Sequence, residues 1–210
     1  VLLYLWREVW MMLSGLAKLI TGRVNEGAKL AWLVLIASIP VGITGLTLEA
    51  YMANGLRIPL LIGWAFIIGG ILLYLGDRYG LKIRRITHLT IGNAFLIGVA
   101  QAFAIIPGAS RAGMTITMAR FLGYERRDAA RFSMLLSIPA IAGASFLHDV
   151  DVIGSGDTAF QTDLLLATGL AFVTALLAII VLMSWLQRKS FTPFVFYRIF
   201  FGILILWIAV

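Results

Sequence analysis

The nine residues from Pro107 to Thr115, PGASRAGMT, hold the side chains in this 210-residue chain that are best suited to chemistry. Gly108 and Gly113 free the backbone, Ser110 and Thr115 supply hydroxyls, and Arg111 supplies one fixed cation. A helix resuming after this break turns its free N–H groups and the positive end of its dipole toward the break, and both favour an anion. The planar fork of Arg111 matches phosphate oxygens. The chemistry predicted is therefore recognition of a phosphate group. No carboxylate lies near Arg111 in the apolar sequence, so neither a general base nor a metal ligand is visible there. Phosphoryl transfer needs both positioning and charge neutralisation, and only part of that equipment is present.

Taken singly, Ser110, Thr115 and the glycines are equally what packed membrane helices use. Arg111 is different, because it lies between apolar limbs, and a charge deep in a membrane marks function by default. Arg120, close to the loop from Glu125 to Asp128, reads as a snorkelling side chain. Arg198, beside Tyr197, either pairs with lipid headgroups or leans toward the site. Gln101 either orients the loop or, the preferred reading, makes a helix-packing hydrogen bond. The stretch from Glu125 to Arg131 reads as an ordinary solvated turn.

The elements that must position these groups are membrane helices. Hydrophobic residues make up 61% of the chain and charged ones 13%, and the mean hydropathy is +0.98, far outside the soluble range. The net charge of +7 does not point to nucleic acid, because the basic residues sit between apolar runs and form no stripe. Cysteine is absent, which excludes disulfides and thiolate chemistry, and His88 and His148 are too few for a histidine-based site. The chain opens at Val1 inside an apolar run, and is expected to be the C-terminal portion of a larger membrane-embedded domain, itself spanning residues 1–210.

The predicted fold is all-α and polytopic. Val1 to Trp6 reads as the tail of a membrane helix, followed by an amphipathic, interfacial stretch to Ile20. Crossings are expected over Leu30–Tyr51 with a kink at Pro40, Ile58–Leu75, Ala129–Leu147 with a kink at Pro139, Leu164–Leu186 and Pro193–Val210. Asp77–Arg85 and His148–Asp163 read as loops. Between them a hairpin descends from about His88 to Ile106 and returns from Gly113 to Leu122. That second limb is far shorter than the roughly 20 residues a crossing needs, so the hairpin is re-entrant. Irregular backbone at that depth requires a protein-lined or wet surround.

Lysines and arginines of the loops fall on one side of this layout, from Arg7 through Arg78, Lys82 and Arg127 to Lys189. Arg57 lies opposite, beside Glu49, Asp149, Asp151, Asp157 and Asp163. Ser38-Ile39-Pro40 and Ser137-Ile138-Pro139 hint at an internal repeat, inverted or parallel, of the kind transporters carry.

PGASRAGMT followed by RFLGYERRDAARFSMLLSIPAIAGA resembles the second signature of the undecaprenyl-diphosphate phosphatase family, the bacitracin-resistance phosphatases, and SFTPFVFYRIF resembles that family's last helix. The resemblance runs from about Leu5-Trp6-Arg7 to the C-terminus. It implies an inner-membrane hydrolase that removes one phosphate from undecaprenyl diphosphate, recycling the lipid carrier of peptidoglycan synthesis and conferring bacitracin resistance. It further implies two re-entrant hairpins and a divalent cation, Mg2+ or Ca2+, whose ligands are not in this chain. Ser110 and Arg111 match residues implied to be catalytic, and Gly108, Ser110, Arg111, Gly113 and Thr115 form the implied substrate-binding set. Ala112 stands where many members have serine, which touches only a secondary hydroxyl contact. The family's glutamate-rich signature is expected upstream of Val1, so the fragment alone is expected to be inactive. Expected partners are the lipid substrate and the membrane, with a homodimer as a further option. The rival reading is a transporter or flippase for a phosphate-bearing lipid.

Overall fold

A computed structural model describes residues 1–19, 25–55, 58–148 and 158–209. Turns over 2–5 lead into α1 (Trp6–Leu19), with the Leu5 N–H bonded to the Val1 carbonyl at 2.9 Å. The helices that follow are α2 (Glu26–Gly55), α3 (Pro59–Tyr79), α4 (Ile91–Ala102), α5 (Arg111–Phe121), α6 (Arg126–His148), α7 (Thr158–Trp185) and α8 (Thr192–Ala209). The described residues contain no strand, only an isolated bridge between Arg84 and Tyr124. Four of the helices, α2, α3, α7 and α8, are long and apolar enough to cross a membrane. The protein is a multi-pass, all-helical membrane protein.

Helix α6 has the length of a crossing at 23 residues, but Arg126, Arg127, Asp128 and Arg131 occupy its first turns. It begins where a solvated turn was expected, and α7 likewise starts inside the stretch read as the loop from His148 to Asp163. Arg57, Asp149, Asp151 and Asp157, assigned to the opposite face, lie outside the described residues.

The hairpin turns back on itself. Ile83 and Arg84, which precede α4, donate their N–H groups to the carbonyl of Gly123, which follows α5, at 3.2 and 3.0 Å. Glu125 returns a bond to the Arg84 carbonyl at 2.9 Å. Both ends of the hairpin therefore sit on one side, and the 11 residues of α5 rise only about 16 Å, about half of the hydrocarbon core. Thr90 starts α4 by accepting the Asn93 N–H on its hydroxyl at 3.3 Å.

Small residues let these elements approach closely, as membrane packing requires. Helices α3 and α8 cross where a Cβ on Gly63 would lie 2.6 Å from the Leu206 side chain and one on Gly202 2.9 Å from the Gly63 carbonyl. Helix α4 presses on α2 at Gly98, whose Cβ would meet the Ala37 carbonyl at 2.3 Å. Between them lies a core of Leu33 and Val34 from α2, Ile97 from α4, Ile116 from α5 and Leu135 and Leu136 from α6. Helix α2 runs on through Pro40, and α6 through Pro139. Both begin at the basic end and run the same way, so inversion does not relate these two Ser-Ile-Pro segments. Helices α3 and α8 pack antiparallel, with Gly63 against Leu206 and Gly70 near Val195.

Candidate active site

The residues from Ile106 to Ser110 make a tight turn between the short 3₁₀ segment Phe103–Ile105 and α5. The Ala109 N–H bonds back to the Ile106 carbonyl at 3.0 Å. Gly108 has φ +90°, and a Cβ there would come within 2.8 Å of the Ile62 carbonyl. Both the backbone conformation and the space demand glycine. Ser110 has φ +64°, the one positive value among described non-glycine residues, where a side chain is unfavourable and persists only when its surroundings hold it. Its hydroxyl caps α5 by accepting the Gly113 N–H at 3.2 Å. The hydroxyl proton is left free to donate outward, and the residue is exposed.

Arg111 is the first residue of α5 and is half-buried beside this turn. Among the described residues its guanidinium has no hydrogen-bond or ion-pair partner. A half-buried cation at the tip of a membrane hairpin, beside a hydroxyl with a proton to donate, is an arrangement able to receive an anion.

Arg198 resolves the choice left open by its sequence position: it leans toward the site. It is 6% exposed, and its Nη2 donates to the carbonyls of Ala65 at 3.2 Å, Gly108 at 3.1 Å and Ala109 at 2.9 Å. Its guanidinium carbon also lies 5.4 Å from the centre of the Phe66 ring. A Cβ on Gly113 would approach Arg198 Nη1 to 3.1 Å, so this glycine keeps room for the arginine. The turn is thus pinned by a residue 90 positions away in sequence.

Thr115 departs from the expected binding set. It is 1% exposed, its hydroxyl lies 3.0 Å from the Arg111 carbonyl, and it shares a 2.7 Å bond with the Ser133 hydroxyl of α6. The Ser133 bond places it in the α5–α6 contact. Gln101 is fully buried, yet neither polar atom of its amide has a partner among the described residues, so the expected packing bond is not made there.

At the far end of α5, Arg120 does not snorkel. It is 0% exposed, and it donates to the Asp77 carboxylate at 3.3 Å and to the carbonyls of Asp77, Gly80, Leu81 and Tyr124. Asp77, expected in a loop, is instead buried in the last turn of α3. It also takes two bonds from Arg126, at 2.6 and 2.8 Å, and the Phe191 N–H at 3.2 Å. Asp128 accepts the Ile86 N–H at 3.0 Å and pairs with Arg131, which also binds Glu8. The stretch read as a solvated turn is thereby a junction of α1, α3, α5, α6 and α8. Sequence reasoning missed Asp77 and Ser133, and the only signal for Asp77 was a lone acid within a basic run.

The turn lies toward one end of α3. Gly108 sits against Ile62 and Phe66, so it is about 5 Å along the axis from Pro59 and about 25 Å from Tyr79. Among the described residues no three acidic or histidine side chains cluster to hold a metal, and the groups around the turn are cationic or hydroxylic. This donor set does not fit a divalent cation.

The family model described as bacitracin resistance protein BacA matches residues 1–204. The chain is 43% identical to the undecaprenyl-diphosphatase of Jannaschia sp. (strain CCS1), with 100% of the chain and 79% of that protein covered. It is 43% identical to undecaprenyl-diphosphatase 1 of Rhodospirillum rubrum, covering 100% of the chain and 74% of the relative. The undecaprenyl-diphosphatase of Desulforudis audaxviator is 40% identical over 100% of the chain and 78% of its own length.

Proposed function

The chain belongs to the bacitracin resistance protein BacA family, and from that premise we infer that it works as an undecaprenyl-diphosphate phosphatase. The reaction adds water across the diphosphate: the terminal phosphorus gains an oxygen, its bond to the bridging oxygen breaks, and undecaprenyl phosphate and inorganic phosphate leave. This recycles the lipid carrier for peptidoglycan synthesis and accounts for bacitracin resistance. The observation that carries the site is the guanidinium of Arg111, without a partner among the described residues, at the tip of a closed, re-entrant hairpin.

Arg111 and Ser110 are the catalytic residues in this reading. Arg111 forks two phosphate oxygens and offsets the charge that gathers on the transferred group. Ser110 donates its free hydroxyl proton to a neighbouring oxygen, while Gly108 and Gly113 let the backbone come close. Thr115 acts through α6, fixing the pitch of α5, and Arg198 is a positioning residue that holds the Gly108 and Ala109 carbonyls away from the substrate. A divalent cation, Mg2+ or Ca2+, would neutralise the diphosphate when bound, and its donors would come from outside the described residues. The turn lies near the end of α3 away from the basic loops, which favours substrate entry from the outer face of a bacterial inner membrane. Release of inorganic phosphate from undecaprenyl diphosphate by the full-length protein in detergent tests the reading, and lipid movement without phosphate release would favour a transporter.

A further inference from the structure

A cationic cavity lies at the end of the protein opposite the hairpin turn. It measures about 340 Å³ and opens between the C-terminal end of α3 and the start of α8, lined by Arg78, Lys82, Ser190, Thr192 and Tyr74 above the Asp77–Arg126 pair. Asp77 is the one acid in this lining, and its two oxygens are already engaged by Arg126, Arg120 and the Phe191 N–H. It therefore presents no unbalanced negative charge. Arg78 and Lys82 are exposed, and among the described residues neither has an ion-pair or hydrogen-bond partner. Ser190 and Thr192 share one 2.7 Å bond, which leaves one hydroxyl proton for a ligand. Two open cations, a free hydroxyl donor and a neutralised floor make a receptor for a phosphate-type anion.

Its position identifies the source of that anion. Asp77 is 12 residues beyond Ala65 in α3, so the cavity is about 18 Å along the axis from the Arg198 contact and separate from the hairpin turn. It sits among the basic loops, where helices of this length leave the hydrocarbon. Tyr74 stands half out at its rim, and Ile71 and Phe194 continue outward as exposed apolar surface on the same two helices. An ion in water would have no use for that apolar wall, whereas an acyl chain would lie along it.

We propose that this cavity binds the phosphate headgroup of an anionic phospholipid from the leaflet on the basic face, with Arg78 and Lys82 as the recognising cations. The bound lipid braces the Asp77 junction, into which the C-terminal end of α5 is tied.

Native mass spectrometry of the full-length protein in neutral detergent, with phosphatidylglycerol competing against phosphatidylcholine, tests this directly. The expected result is retention of phosphatidylglycerol by about tenfold over phosphatidylcholine. Arg78→Gln with Lys82→Gln abolishes the preference and leaves turnover in lipid-free detergent unchanged. Arg188→Gln with Lys189→Gln removes the same charge from the same face but outside the cavity, and retains it. Equal loss in both double variants would overturn the proposal in favour of diffuse surface attraction. No preference in the parent protein would also overturn it. Full displacement of the lipid by millimolar inorganic phosphate would make this a site for free ions, again contrary to the proposal.

Discussion

Arg198 of α8 donates to the Ala109 carbonyl at 2.9 Å, two residues before Arg111, so α8 sets where the hairpin turn can stand. The same Nη2 reaches Gly108 and Ala65, which joins α3, the hairpin and α8 through one planar group.

Arg198→Lys should therefore behave as a loss of function despite keeping the charge. The lysine Nζ stands one bond nearer the backbone than Nη2 and lacks the planar group that lies over Phe66, so it keeps at most part of the three-carbonyl contact. The expected outcome is a fall of about tenfold or more in kcat for phosphate release, at a melting temperature only a few degrees lower. Arg198→Ala should lower both. Full activity in the lysine variant would show that the turn holds its shape without the guanidinium.

Gly108→Ala places a methyl 2.8 Å from the Ile62 carbonyl at φ +90°, and should destabilise by more than about 1 kcal/mol with loss of activity. Ser110→Gly acts in the opposite direction on the backbone, because glycine adopts the positive φ of 64° without strain. It should leave the melting temperature unchanged or raised while removing turnover. Thermal unfolding paired with phosphate release separates the two effects.

Asp77 and Glu125 make a contrast in what ion pairs contribute. Asp77→Asn leaves Arg120, with 0% exposure, facing an uncharged partner, and breaking a buried pair costs about 3–5 kcal/mol. The pair of Glu125 with Arg85 has exposures of 42% and 70%, and Glu125→Gln should cost about 1 kcal/mol or less. Denaturation in the same detergent should rank the two in that order, and similar values would contradict a buried junction.

The hairpin was legible in the sequence because its signal is local: Pro107 and Gly108 break the helix, and too few residues remain before Gly123 to cross. Arg120 was misread because nearness along the chain to charged residues suggested water, whereas its carboxylate comes from Asp77, 43 residues earlier. Asp77 itself looked like loop because Gly76, Asp77 and Arg78 resemble a helix end, and only packing against α5 and α8 extends α3 to Tyr79. Thr115 was read with its motif, but the facing Ser133 that bonds it has no local signature. Arg198 was legible as an anomaly, a cation inside an apolar helix, and its direction required the fold.

Arg111 carries the account, and turnover of undecaprenyl diphosphate by full-length Arg111→Ala, measured as inorganic phosphate beside a melting curve, tests it most directly. The guanidinium has no structural partner among the described residues, so its removal should leave the melting temperature within a few degrees of the parent while kcat falls by about a hundredfold or more. Near-parental turnover in a folded variant would contradict the central claim.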